Sequence, residues 1–330
     1  MLRALRNGLI LLFLLRPMIC LGKSPDHIES VSVSPDGKII AVDFEKGGEW
    51  FIYKISVDTG NATRLTDTKT GDESSPTFSP DGKRIAYTYS PANGGHSSVV
   101  IGNIDGSDLH SWSSPEVSDY WPVLSPDNKT IIFARSGYYG NYSPIAQPYH
   151  HAWSFYASDL DGTNIRKLTS ESFYMASPAS VSPDGKSMVI AQESLDTNRA
   201  IAIYSLDHPG KPIQLLRPHV PKEADHKNPI LNDPNYMPDR KSVLFMAASN
   251  GKLWSGYDYD VYRVDIATGV VERITKGNGY ATDLHVSADG KTAVFLKWQS
   301  DWHGTPVRSE LYLLDVPTRK LMPIKITGLN

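Results

Sequence analysis

The sequence predicts an all-β fold, namely a six-bladed β-propeller with four antiparallel strands per blade. Three observations predict it. A five-residue motif recurs six times, a short apolar run follows each copy, and a second strand–turn–strand pattern follows each run. Self-similarity at a period of about 50 residues is typical of propellers and related repeat folds. The composition agrees, because 17 Tyr and 7 Trp among 330 residues favour strands.

The recurring motif reads Ser-Pro-Asp-Gly-Lys, with two degenerate copies near the end of the chain. The copies begin 45, 46, 57, 55 and 50 residues apart, at Ser34, Ser79, Ser125, Ser182, Met237 and Ser287. Asp-Gly between strand-forming residues is a strong hairpin signal, and we expect both turn residues to adopt positive φ. The preceding Pro cannot donate a ladder hydrogen bond, so it marks the end of a strand. Each motif therefore joins the first strand of a blade to the second.

The second half of each repeat supplies two further strands. In the first repeat, Phe51-Ile52-Tyr53 leads through Thr59-Gly60 to Arg64-Leu65-Thr66. Strands a to d then form one blade, and six blades in one phase count against a β-sandwich with coincidental turns. We expect each blade to supply its own four strands, within one domain covering 23–330. The predicted blades cover 28–67, 74–112, 119–170, 177–217, 228–276 and 282–327.

Residues 1–22 have the features of a secretory signal peptide. Arg3 and Arg6 precede a short apolar stretch, and Cys20-Leu21-Gly22 offers small residues for cleavage after Gly22. Arg16 interrupts the apolar run and argues against an uncleaved anchor. We therefore expect a periplasmic or secreted protein with no membrane span after cleavage.

Composition excludes several classes of function. Lys+Arg is 33 and Asp+Glu is 36, so the formal charge is −3 and no basic excess indicates nucleic-acid binding. The single cysteine, Cys20, excludes an internal disulfide framework and a CxxC zinc site. We expect a monomer.

The repeat Ser-Pro-Asp-Gly-Lys-x-Ile-Ala-Phe, followed by Ile-Tyr and a Thr-Gly turn, resembles the TolB-like propellers, also called the WD40-like or PD40 repeat. The resemblance covers about 28–327 and implies the fold more than the function. Relative to TolB, we expect this chain to lack the N-terminal α/β domain. Relative to peptidases related to dipeptidyl peptidase IV, it shows no G-x-S-x-G motif and no room for a hydrolase domain. Oligogalacturonate lyases resemble the same propeller and hold a metal with His and Gln, so they are the nearest enzymatic analogy.

The irregular loops predict where a ligand would bind. The a–b and c–d turns are short and uniform, whereas the b–c loops and d–a linkers vary in length and carry aromatic residues. Long loops on a rigid scaffold commonly carry binding sites, and aromatic rings suit peptide or glycan surfaces. Packing of these rings between blades is the alternative. The candidate ligand-binding residues are Tyr138, Tyr139, His151, Trp153, Trp254, Tyr257, Trp298, Trp302 and His303.

Polar residues before the innermost strands form a second candidate group at the channel rim: Asp72, Asp119, Asp225, His226, Asp283 and His285. Such carboxylates cap main-chain N–H groups or give the channel mouth a negative potential. The loop face also carries five histidines: His150, His151, His226, His285 and His303. His together with carboxylate can hold Mn²⁺ or Zn²⁺, and oxygen-rich clusters can hold Ca²⁺. No pair has a diagnostic spacing, so we predict no metal ligand and no cofactor, with a divalent cation as the alternative.

Two function hypotheses follow. The first is an exported, non-catalytic scaffold whose loop face binds a protein, peptide or glycan. The second is a lyase or hydrolase of acidic oligosaccharides with a His/Asp site, metal-assisted or not, at the channel mouth. No sequence motif selects a catalytic residue, and the absence of a nucleophile motif favours the scaffold.

Overall fold

The computed structural model describes residues 27–68, 70–112, 116–141, 148–194, 198–220, 230–252, 256–300 and 306–329. These residues form six antiparallel sheets of consecutive strands, arranged as a ring with each first strand innermost. The six-bladed propeller predicted from the repeats is therefore confirmed, and none of the described strands is exchanged between the first and last blades.

The first three blades contain fourteen of the strands, and blade 3 carries an additional hairpin, β11–β12, between its second and third strands. Their bounds are β1 (Ile28–Val33), β2 (Ile39–Lys46), β3 (Glu49–Ser56) and β4 (Ala62–Arg64) in blade 1; β5 (Gly71–Phe78), β6 (Arg84–Pro91), β7 (Ser98–Asn103) and β8 (His110–Trp112) in blade 2; and β9 (Ser118–Leu124), β10 (Thr130–Ser136), β11 (Tyr138–Asn141), β12 (Pro148–His151), β13 (Ser154–Asp159) and β14 (Arg166–Lys167) in blade 3.

In blade 4 the innermost strand is interrupted, so that two short strands pair with the second strand of the blade. The bounds are β15 (Met175–Ala176), β16 (Ser180–Val181), β17 (Ser187–Ser194), β18 (Asn198–Ser205) and β19 (Gln214–Leu216) in blade 4; β20 (Leu231–Tyr236), β21 (Ser242–Lys252), β22 (Gly256–Asp265) and β23 (Val271–Arg273) in blade 5; and β24 (Ala281–Val286), β25 (Thr292–Ser300), β26 (Pro306–Asp315) and β27 (Lys320–Pro323) in blade 6.

The a–b turns correct one expectation. In the first turn the N–H of Gly37 donates to the carbonyl of Ser34 at 2.9 Å, and only Gly37 has positive φ, whereas Asp36 does not. The motif is thus a type I turn followed by a left-handed residue, not a turn with two positive-φ residues. Asn128 and Arg240 adopt the same left-handed conformation where the other copies have Gly.

The serine of the motif explains why the turn is so regular. Ser34 Oγ donates to Asp36 Oδ1 at 2.7 Å and accepts the N–H of Ile39 at 2.9 Å. The hydrogen bond from Ser34 holds the pKa of Asp36 below its ordinary value. These turns and the c–d turns lie on one face of the ring, which we call the turn face. The b–c loops and d–a linkers lie on the opposite face, the loop face.

The C-terminal segment closes the ring. The N–H of Ala62 in blade 1 donates to the carbonyl of Thr327 at 2.7 Å, and the N–H of Thr327 donates to the carbonyl of Gly60 at 2.9 Å. Blades 3 and 4 are joined in the same way, because the N–H of Ser170 donates to the carbonyl of Gly210. Three apolar side chains of the C-terminal segment pack on the core shared by blades 1 and 6: Ile324, Ile326 and Leu329.

Bulges in the innermost strands join neighbouring blades at the channel. In blades 2, 3, 5 and 6 the register shifts in mid-strand, and one bulge residue has φ between 48° and 63°. The left-handed residues are Ser75, Trp121, Asp233 and Asp283. This conformation turns a main-chain N–H toward the preceding blade, as where Trp121 donates to Thr88 Oγ1 at 3.1 Å. The bulges are therefore a structural feature of the repeat.

Among the described residues, no helix is long and apolar enough to cross a membrane.

Candidate functional site

An aromatic cluster occupies the loop face of blade 3. Trp121, in the bulge of β9, stacks on Trp153 with ring centroids 4.7 Å apart. Tyr120 packs against Trp153 at 5.5 Å and against His150 at 5.1 Å. The cluster joins the channel wall to the long b–c connection of the same blade. We call Tyr120, Trp121, His150 and Trp153 the aromatic cluster.

A chain of hydrogen bonds runs through this cluster and crosses from blade 2 to blade 3. Ser97 Oγ donates to the Tyr120 hydroxyl at 2.8 Å, and that hydroxyl lies 2.9 Å from His150 Nε2. His150 Nδ1 lies 3.0 Å from Ser136 Oγ. The polar atoms of Tyr120 and His150 are thus held in place by buried serines, which fixes the two rings that pack against Trp153.

The two tryptophans of the cluster differ in accessibility. Trp153 is only 2% exposed, and its indole N–H is buried with no hydrogen-bond partner among the described residues. Trp121 keeps a partly exposed side chain above it. Trp153, predicted as a ligand-binding residue, therefore supports the platform from below, while Trp121 presents the accessible ring.

Trp298, another predicted ligand-binding residue, lies in the contact between blades 6 and 1. His27 packs edge-on against Trp298 at 5.6 Å and against Trp50 at 5.1 Å. Trp298 Nε1 donates to Thr282 Oγ1 at 2.9 Å, and His27 Nδ1 lies 3.1 Å from a carboxylate oxygen of Glu45. Trp298 therefore packs between two blades, which is the alternative to a ligand-binding role.

The rim carboxylates mainly hold neighbouring structure. Asp119 is buried and forms a bidentate ion pair with Arg135, with N–O distances of 2.7 and 2.8 Å. Burial raises the pKa of Asp119 in spite of this pair. Asp72 Oδ1 accepts the N–H of Trp50 at 3.3 Å, and Asp283 accepts the N–H of Val31. Each of the last two thus binds a main-chain N–H of blade 1.

His285 lies two residues after Asp283 on the same inner strand. Its side chain is partly buried, and this burial lowers its pKa to about 4. His285 is therefore neutral at pH 7, and it contributes no positive charge to the channel.

Sequence reasoning missed two carboxylates of the channel. Asp43 is buried in β2 and accepts the N–H of Ser30 at 2.6 Å and that of Ser75 at 3.1 Å. Asp233, in the bulge of β20, accepts the N–H of Asp283 at 2.8 Å. The only signal for Asp43 is a lone acid in an otherwise apolar run, and Asp233 lies in Asn-Asp-Pro-Asn, which reads as a turn.

The innermost strands give the channel a negative character. The described strands β1, β5, β9, β15, β16, β20 and β24 contain no Lys or Arg. They carry six acidic residues: Glu29, Asp72, Glu73, Asp119, Asp233 and Asp283. Among the residues that the structure describes, no group of three or more His, Cys, Asp or Glu side chains could hold a metal ion.

The remaining candidates cannot be placed as side chains. Tyr138, Tyr139 and His151 belong to the β11–β12 hairpin and Tyr257 to β22, and for these four residues the structure describes the backbone only. Five candidates lie outside the described residues: Asp225, His226, Trp254, Trp302 and His303.

Comparisons of sequence agree with the repeat. A family model described as the TolB beta propeller domain matches residues 19–147. The Tol-Pal system protein TolB of Francisella tularensis subsp. mediasiatica is 36% identical over 86 residues, which are 26% of this chain and 20% of that protein. Dipeptidyl-peptidase 5 of Porphyromonas gingivalis is 24% identical over 306 residues, 89% of this chain and 40% of that protein. The matched stretch thus spans about a fifth of the TolB relative and two fifths of the peptidase.

Comparisons of structure extend the likeness over nearly the whole chain. The crystal structure of TolB from Acinetobacter baumannii superimposes with a TM-score of 0.61 and 17% identity, covering 91% of this chain and 63% of that one. Oligogalacturonate lyase from Vibrio parahaemolyticus gives a TM-score of 0.56 and 13% identity, covering 93% and 79%. At these identities the likeness shows the fold, which binding proteins and enzymes share. The ring of blades shows a six-bladed β-propeller, and the family match shows that residues 19–147 are similar to the TolB beta propeller domain.

Proposed function

We propose that this chain is an exported, non-catalytic binding scaffold that holds a protein partner at its loop face, with the aromatic cluster at the centre of the contact. The single observation that carries the proposal is the platform of Trp121 on Trp153, fixed by the hydrogen bonds of Tyr120 and His150. Rigid aromatic side chains of this kind dominate the binding energy of protein interfaces.

The chemistry of the surrounding surface supports a protein partner over an acidic glycan. The innermost strands carry carboxylates and no Lys or Arg within their described bounds. Arg135, next to the cluster, is already engaged by Asp119. An acidic oligosaccharide needs cations to hold its carboxylates, and a negative channel repels it. A neutral or basic protein surface meets no such repulsion.

The export part of the proposal rests on the N-terminal sequence and on the relatives. Residues 1–22 have the pattern of a signal peptide. The Francisella relatives are by name components of the Tol-Pal system. We propose the periplasm as the compartment in which the scaffold meets its partner.

The proposal is tested by capture from an envelope extract with matched variants. Trp121→Ala removes a partly exposed ring of the loop face. Ile213→Ser removes an aliphatic side chain, 64% exposed, that precedes β19 on the turn face. Quantitative mass spectrometry should find a protein enriched by wild type and by Ile213→Ser but lost with Trp121→Ala. Enrichment that survives Trp121→Ala, in a variant whose circular dichroism is unchanged, would contradict the proposal.

A further inference from the structure

Three carboxylates connect the blades around the place where the ring closes. Asp233 of blade 5 accepts the N–H of Asp283 in blade 6 at 2.8 Å. Asp283 accepts the N–H of Val31 in blade 1. Asp43 of blade 1 then accepts the N–H of Ser75 in blade 2 at 3.1 Å. A single line of carboxylate–amide hydrogen bonds therefore runs through blades 5, 6, 1 and 2. We call Asp233, Asp283 and Asp43 the seam carboxylates.

Asp43 is buried and Asp233 and Asp283 are partly buried, so the position of these groups makes their charge costly. Burial raises the pKa of Asp233 to about 6, and burial together with the charge of Glu29 raises that of Asp43 to about 6. The pKa of Asp283 is raised well above its ordinary value by burial and then by the charges of Asp233 and Asp43. Backbone N–H groups favour the ionised form, but here they do not offset burial and mutual repulsion.

The neighbouring charges that act on the seam carboxylates come from other carboxylates. His27, directly before β1, lies against Glu29 and Glu45. On β1 the nearest charged side chain is Glu29, and on β5 Asp72 and Glu73 are held by the N–H of Trp50 and by threonine hydroxyls. On β24 the titratable neighbour is His285, whose pKa of about 4 leaves it neutral at pH 7. The remaining groups face elsewhere or bear no charge: Lys297 places its amine over the Tyr312 ring, and Tyr280, beside Asp233, has a pKa raised by burial.

We propose that the closure between blades 6 and 1 is a pH-sensitive contact, held shut while the seam carboxylates retain a proton and loosened by their mutual repulsion when all three are ionised. The device belongs to the ring itself and does not depend on what the loop face binds. It predicts that the seam loosens before the rest of the propeller as pH rises through the folded-state pKa values of these three groups.

The direction follows from proton linkage. The seam carboxylates have folded-state pKa values above their unfolded values, so the folded state binds more protons in the window between them. Their contribution to stability is therefore present at low pH and is lost as pH rises through the folded-state pKa. For Asp43, the change from 3.8 to about 6 corresponds to about a hundredfold change in the folding equilibrium.

Asparagine variants of the full chain test the proposal. Asp283→Asn keeps an oxygen that can accept the Val31 N–H and removes the charge. Thermal melts from pH 3.5 to pH 8.5 should show this variant several degrees more stable than wild type at pH 8, with the gain shrinking as pH falls and absent below the unfolded pKa of 3.8. Hydrogen exchange in β1, corrected for intrinsic rates, should rise with pH in wild type more than in β17 and should rise less in the variant.

A matched control and a second variant keep the test decisive. Asp265 accepts the N–H of Thr268 at 2.8 Å on the turn face, and that hydrogen bond lowers its pKa, so Asp265→Asn should give no gain at pH 8. Asp43→Asn should behave like Asp283→Asn. The proposal is overturned if the seam variants keep the wild-type dependence on pH, are less stable than wild type at pH 8, or fail to fold there, since each result means that the ionised carboxylate is required.

Discussion

The main-chain N–H of Val31 donates to the carboxylate of Asp283, so the first blade is bound to the last through a side chain in the channel wall. On the turn face, the C-terminal segment makes a second connection between the same blades through Gly60. Two independent contacts thus close the ring, and in the part of the chain that the structure describes no strand crosses from one blade to another. Both can be tested separately from the binding function.

The turn-face contact predicts an unusual sensitivity at Gly60. This residue has φ of 71°, and a Cβ there would lie 2.0 Å from the carbonyl oxygen of Lys325. Gly60→Ala should lower the free energy of unfolding by about 3 kcal/mol or more, through strain and displacement of the C-terminal segment. Gly269 is its matched control, because it has the same φ in blade 5 but nothing within 4 Å of a Cβ. Gly269→Ala should lower stability by about 1–2 kcal/mol. Urea denaturation measures the free energy of unfolding of both variants. Equal losses in the two would show that the closing contact adds nothing to stability.

The buried ion pair of blade 3 predicts a large loss when its cation is removed. Arg135→Met leaves the carboxylate of Asp119 buried without its guanidinium, which should lower the free energy of unfolding by about 3–5 kcal/mol. The double variant Asp119→Asn, Arg135→Met should recover part of that loss, because the uncompensated charge is gone. Urea denaturation of both variants measures the difference. A double variant no more stable than Arg135→Met would refute this explanation.

His285 should stabilise the folded protein at neutral pH and lose this contribution in acid. This pH dependence is the opposite of that expected for the seam carboxylates. Its pKa is about 4 in the folded protein against 6.5 in the unfolded chain, so the unfolded state binds more protons between these values. Its contribution is therefore present above pH 6.5 and falls by about 2–3 kcal/mol as pH drops to about 4. His285→Gln should flatten the acid side of the stability profile, measured by melts from pH 7 to pH 4.5. The exposed His208→Gln should leave that profile unchanged, and an equal effect of both variants would contradict the role of burial.

The sequence predicted the fold well because hairpin chemistry is local. Ser34, Pro35 and Gly37 specify a turn through contacts within six residues, and the pattern repeats in every blade. The error about positive φ at Asp36 concerned the turn type and left the blade unaffected.

The candidate site was harder to predict because exposure depends on neighbours distant in sequence. Trp153 is covered by Trp121, which lies 32 positions earlier, and by the segment around Phe173. Asp43 meets Ser75 only because blades 1 and 2 lie side by side. A pattern of residue types shows which residues occur on the loop face, but it does not show which of them pack against each other.

Site-specific photo-crosslinking in intact cells tests the central claim, that the loop face around the aromatic cluster holds a protein partner. Tyr174 is 36% exposed on the loop face beside Phe173, and Val270 is 66% exposed on the turn face, so the two positions form a matched pair for a benzophenone side chain. The account predicts a discrete protein adduct from position 174, absent from position 270 and lost when Trp121→Ala is added. Adducts from position 270 alone, or an adduct at 174 that persists with Trp121→Ala, would contradict it.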